Sequence, residues 1–130
     1  MNGLLTLPSQ YSVNETTEKL VTFLDSNGIP LYAAIDHSRN AIEHGLFLKP
    51  TQLLIFGSPM LVTPLMEDQP SAGIDLPLKL LIWEDASEMT WVTCNDISWI
   101  AERHGLSKKA REACVAIGDK LASLIHKAVL

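Results

Sequence analysis

Apolar positions recur along the chain with two periods, and the switches between them mark the elements. Gly3 to Leu7 is a short β-rich run closed by Pro8, which predicts a first strand. Ser12 and Glu15 have the spacing of a capping box, in which each side chain serves the other's backbone N–H. Leu20, Val21 and Leu24 follow at helical spacing. Gly28 supplies a left-handed stop and Pro30 bars continuation. The run Leu31 to His37 then alternates as a strand does. Leu31, Ala33 and Ile35 take one face, Tyr32, Ala34 and Asp36 the other, and His37 ends the apolar face.

Ser38 is placed to cap a short helix over Asn40 to His44, ended by Gly45. Pro50 introduces a third strand, Leu53-Leu54-Ile55-Phe56. It is apolar on both faces and is therefore expected at the centre of the sheet. Gly57-Ser58-Pro59 reads as a strand-to-helix turn, with Ser58 as cap and Pro59 at the first helical position. A helix from Met60 to Met66, bent at Pro64, is expected after it. Leu78 to Trp83 and Met89 to Cys94 are two strands. Their link, Glu84 to Glu88, has hairpin length, so they are predicted to be antiparallel. Asn95 or Asp96 caps a helix holding Ile97, Trp99, Ile100 and Ala101, and Gly105 stops it. Ser107 opens a last helix with one apolar stripe from Ala110 through Ala113, Cys114, Ile117, Leu121, Leu124 and Ile125 to Ala128.

Strands alternate with helices in the first half, which on its own suggests βαβ units and a parallel sheet. The hairpin in the second half argues for a mixed or antiparallel sheet with helices on one face. Pattern alone leaves both open. At 130 residues the chain has the length of one domain, spanning 1–130, and 47% hydrophobic residues suffice for a packed core.

The formal net charge of −5 is the wrong sign for a nucleic-acid binder or a polybasic membrane surface. Met1 to Pro8 has no basic stretch followed by a long apolar one, so no signal peptide is expected. The apolar runs are of strand length, far short of the ~20 residues of a membrane span. Cys94 and Cys114 have no zinc or redox spacing, which fits two reduced thiols in the cytoplasm.

Several stretches resemble the bacterial and archaeal domain-of-unknown-function family 302. They include Pro8-Ser9, Ser12-Val13, Glu15-Thr16, Ile35-Asp36-His37, Leu48 to Gly57, Thr63-Pro64-Leu65-Met66, Gly73 to Lys79, Trp83-Glu84-Asp85 and Asn95-Asp96. The resemblance implies an α+β sandwich of the TATA-binding-protein-like class, with a mostly antiparallel sheet and helices on one face, often seen as a homodimer. It implies no reaction, and the fold name carries no DNA binding. The chain departs from the family pattern at Ser58, where Asn is expected, at Val62, where Gly is expected, and at Cys94, where Tyr is common.

The candidate chemistry is sparse. Asp36 and His37 stand at a strand terminus, and His37 has the residue type of a base or ligand contact. Glu43 and His44 could join His37 around a metal, but no metal-site spacing exists, so no metal is expected and no cofactor is named. Gly57-Ser58-Pro59 could offer backbone N–H groups to an anion. Trp83 and Trp91 could pair across the hairpin, as aromatic anchors or the wall of a pocket. The leading expectation is a dimeric domain that binds a small molecule or a protein partner without turning it over. Asp36, His37, Gly57, Ser58 and Trp83 would line the site at the His37 end of the sheet. The rival is an enzyme with His37 as general base and Cys94 or Asp96 assisting. A third reading is an interaction module using the tryptophan hairpin or the last helix.

Overall fold

The computed structural model describes residues 2–130; Met1, the first residue of the N-terminal segment read above, lies outside them. The elements run β1 (Leu4–Ser9), α1 (Val13–Ser26), β2 (Leu31–Asp36), α2 (His37–Glu43), β3 (Thr51–Phe56) and α3 (Pro59–Asp68). A 3-10 turn (Pro70–Ile74), β4 (Leu78–Glu84), β5 (Thr90–Asn95), α4 (Ile97–Arg103) and α5 (Lys108–Val129) complete the chain.

The five strands form one sheet in the order β1-β5-β4-β3-β2, and every neighbouring pair is antiparallel. The parallel reading of the first half is overturned: β2 and β3 are adjacent and antiparallel. The segment between them is long enough for a crossover, but α2 spends it packing beside β3 at one end of the sheet. The antiparallel hairpin of β4 and β5 forms as expected.

Alternate residues separate the two sides of the sheet. Leu54, Phe56, Leu78, Leu80, Ile82, Val92 and Cys94 point to the helical side and are buried. The residues between them, among them Leu53, Ile55, Leu81, Trp83 and Trp91, are only partly buried on the side without helices. Val13, Leu20 and Leu24 of α1, Ile97 and Ile100 of α4, and Cys114, Leu121, Leu124 and Ile125 of α5 complete the core. Burying a side chain of this size stabilises the fold by about 1.5–3 kcal/mol.

Local signals account for most element ends. Ser12 Oγ accepts from Glu15 N–H at 3.1 Å. Gly28, at φ +66°, lets the amide of Ile29 reach back to Leu24 O at 2.9 Å and close α1. Four expectations change. Pro8 lies inside β1, where an edge strand tolerates its missing N–H. α3 runs through Pro64 to Asp68. Ser58 stands at the cap position of α3, but its side chain makes no capping bond. The apolar alternation of β2 does not face the core: β2 is the other edge, a bulge falls between Leu31 and Ala33, and Leu31, Tyr32 and Ala33 are exposed.

Candidate functional site

The residues expected to share one site lie at two ends of the sheet. Asp36 pairs with Gln52 of β3, and Trp83 pairs with Thr51, so both belong to the end where β2 passes into α2. Phe56, which leads into Gly57 and Ser58, pairs with Leu31 and Leu78 at the opposite end. Four residues of strand separate the two groups, about 13 Å. One ligand pocket does not contain all five residues.

At the first end, Asp36 rather than Ser38 caps α2. Its Oδ1 accepts from Ser38 Oγ at 2.7 Å and from Arg39 N–H at 2.9 Å. These two bonds, the Ser38 hydroxyl first, hold the Asp36 carboxyl below its ordinary value. Ser38 Oγ in turn accepts from Thr51 N–H at 3.3 Å, tying α2 to β3. His37 becomes the first residue of α2 and is exposed. It lines neither the hollow beside Gly57 nor the cleft beside Leu5.

The turn after α2 carries the most exposed apolar run of the chain. Ile42, Leu46 and Phe47 are 62%, 67% and 82% exposed, and Leu48 follows them. The run is anchored beside β4, where Lys49 Nζ meets Glu84 Oε2 at 3.6 Å and Pro50 O accepts from Glu84 N–H at 3.1 Å. Trp83 and Trp91 stack on the open side of the sheet with ring centroids 6.3 Å apart. Each indole N–H is satisfied, Trp83 on Thr93 Oγ1 at 2.9 Å and Trp91 on Asp85 Oδ2 at 2.8 Å. What the pair leaves outward is apolar ring surface. The Trp91 bond is also the main reason the Asp85 carboxyl lies below its usual range.

At the other end, Gly57 and Ser58 line a hollow of about 60 Å³ walled by Phe56, Val62, Leu78 and Leu124. That is room for one or two waters. The rival enzymatic set does not assemble. Cys94 and Asp96 lie at β5 and its exit, while His37 leaves the far edge strand. Three strand spacings alone separate β5 from β2 by about 14 Å. Burial, and after it the Asp96 charge, push the Cys94 thiol up to about 11. Alkylation of Cys94 by iodoacetamide at neutral pH is therefore expected to be slower than that of free cysteine and to climb with pH toward that value. Mass spectrometry of the labelled peptide checks it, and rapid labelling at pH 7 would contradict it.

A cluster 29 residues apart in sequence was not foreseen. His104 Nε2 meets Asp75 Oδ2 at 2.6 Å, and His104 Nδ1 meets Ser71 Oγ at 2.8 Å. Arg103 Nη1 donates to both Asp75 oxygens, at 3.0 and 3.1 Å. The residue types are those of a hydrolytic triad, but the imidazole is turned round: its Nδ1 faces the serine and its Nε2 the carboxylate. Ser71 is exposed and lines neither cavity. The arrangement locks the 3-10 turn to the end of α4, with the His104 side chain 7% exposed. Among the described residues no group of three or more His, Cys, Asp or Glu side chains could hold a metal ion.

The domain of unknown function DUF302 matches residues 5–128. The chain belongs to this family. A solved DUF302 structure, that of an uncharacterized conserved protein from Bacillus stearothermophilus, superposes with a TM-score of 0.86 over 100% of both chains at 19% identity. That likeness establishes the α+β sandwich. The Fluoride-specific ion channel FluC 1 of Brucella suis biovar 1 is 42% identical over 116 residues, which make up 89% of this chain and 46% of that protein. FluC 1 of Brucella abortus biovar 1 and FluC 2 of Brucella melitensis biotype 1 match equally, over 43% of their length. The matched DUF302 segment thus spans less than half of these relatives. Among the described residues no helix is long and apolar enough to cross a membrane.

Proposed function

We propose that this DUF302 chain is a binding domain without a reaction of its own, and that a second copy of the chain occupies its His37 end. The observation that carries the reading is the exposed run Leu46-Phe47-Leu48 with Ile42 beside it. Four such side chains bare roughly 400–500 Å² of apolar surface, more than the few hundred Å² common on a monomer. That is over half of the ~800 Å² that each partner buries in a standard interface. Arg39 pairs with Glu43 at 3.3 Å and Lys49 with Glu84, so the Arg39 and Lys49 cations are already partnered and the apolar run is what is left for a second copy to cover. A twofold axis would bring Phe47 of each copy against the other's patch.

His37 and Trp83 belong to this proposed face. Asp36 serves it as the cap of α2, and Gly57 and Ser58 at the far end play no part in it. We place the domain in the cytoplasm, where Cys94 and Cys114, both free, stay reduced.

The test is sedimentation of the wild type and of Phe47→Asp at equal concentration. The expected result is a dimer for the wild type and at least a tenfold rise in dissociation constant for the variant, with unchanged circular dichroism. A monomeric wild type, or a variant as dimeric as the wild type, overturns the reading. Co-sedimentation of the wild type with neutral lipid vesicles, lost in Phe47→Asp, would overturn it in favour of a membrane surface.

A further inference from the structure

A second surface lies diagonally across the molecule from the His37 end. Between edge strand β1, the exit of β5, and helices α4 and α5, a cleft of about 440 Å³ opens, within the range of small-ligand sites. Its walls are mainly apolar, with Thr6, Asn95 and Ser98 set among them. Leu5 and Leu7 come from β1, Ile97 from α4, and Val115 and Ala122 from α5. Leu5 and Val115 are exposed there, 42% and 53%. Gly118 lets the two helices close over this point. A Cβ there would stand 3.3 Å from Ile97 Cγ2, tighter than packed cores ordinarily allow. The glycine costs a 22-residue helix about 0.5–1 kcal/mol of propensity, so its place against α4 is what it serves.

The charges in the cleft are all of one sign. Asp96 and Asp119 line it, and no Lys, Arg or His does. Asp96 spends Oδ1 on the first amides of α4, from Ser98 and Trp99, which leaves Oδ2 free. Asp119 enters no ion pair among the described residues. Asp119 is exposed and Asp96 half-buried, so the two carboxylates act by their sign: they attract a cation and repel an anion.

We infer that the cleft takes a small organic cation of the alkylammonium class, its chain along Leu5, Leu7 and Val115 and its charged head toward Asp119 and Asp96. The primary ammonium would donate to the carboxylates while the alkyl chain removes apolar wall from water. This site is separate from the proposed dimer face, so Phe47→Asp leaves it in place and the two readings fail separately.

The experiment titrates n-hexylammonium chloride into the full chain and follows backbone amide resonances. Hexan-1-ol and hexanoate are the neutral and anionic controls. Saturable shifts are expected at Ser98, Val115 and Asp119, with hexan-1-ol at least tenfold weaker and hexanoate without effect. Asp119→Asn should weaken the ammonium about two- to fivefold, as suits an exposed carboxylate, while leaving hexan-1-ol unchanged. Ala122→Phe, which fills the cleft from an exposed helix position, should abolish both. Shifts that do not saturate, that centre elsewhere, or that are as strong for hexan-1-ol as for the ammonium overturn the inference. So does an Asp119→Asn variant that binds the ammonium undiminished.

Discussion

Gly3→Ala is expected to lower the free energy of unfolding by about 2–5 kcal/mol. Gly3 sits at φ +82°, a region that costs an ordinary residue about 1–2 kcal/mol. The new methyl would also lie 2.6 Å from both Cδ2 and Cε3 of Trp99. Both atoms belong to the rigid indole, over which the Arg103 guanidinium lies 5.6 Å from the ring centre, so the whole ring must shift. Forcing the ring aside adds about 1–3 kcal/mol of overpacking. The same glycine accepts a bond from the Asp96 amide at 2.9 Å, so its displacement loosens β1 and the start of α4 together. Urea unfolding followed by tryptophan fluorescence measures the loss, and a change below about 1 kcal/mol would contradict the argument. Trp99→Leu should restore part of the stability in the double variant, because the clash is with the ring.

Asp75→Ala is expected to cost about 2–3 kcal/mol. The variant leaves the nearly buried His104 Nε2 without its partner, and a buried polar group stripped of its bond keeps its full desolvation penalty. The Arg103 contribution is small, since half of that side chain is in water. Ser71→Ala, which removes only an exposed hydroxyl from the far side of the ring, should cost about 1 kcal/mol or less. That ordering is the mark of a clamp. If Ser71 were a nucleophile, it would react with a fluorophosphonate probe, and Asp75→Ala would silence that reaction without loss of stability. Equal unfolding midpoints for Asp75→Ala and wild type would end the clamp reading.

The elements were legible where the signal is local. The Ser12 cap, the Gly28 stop, the hairpin of β4 and β5 and the stripe of α5 each depend on residues a few positions apart, and the sequence shows all of them. Strand direction is a different kind of information. A link between β2 and β3 of this length suits a crossover or a return, and nothing within it says which. The alternation of β2 was real but misleading. Edge position and the bulge at Leu31 and Ala33 decide burial there, and both depend on partners distant in the chain. At the candidate site, His37 is where its residues suggest, at the end of a strand. The capping role fell to Asp36 because its carboxylate is within reach of Arg39 N–H, whereas Ser38 Oγ turns to the amide of Thr51. The pairing of Asp75 with His104, and of Leu5 with Val115 across the cleft, joins parts of the chain that no short window contains.

The strand order has one consequence for how the molecule is made. β1 is translated before the other four strands, yet its sheet neighbour is β5, with Leu4 opposite Asn95. β1 must therefore wait, unzipped, until β5 has been translated, and this distant closure makes for slow assembly. During that interval the nascent chain exposes Leu4, Leu5 and Leu7 along an unpaired edge, the stretch for which a chaperone would have most use.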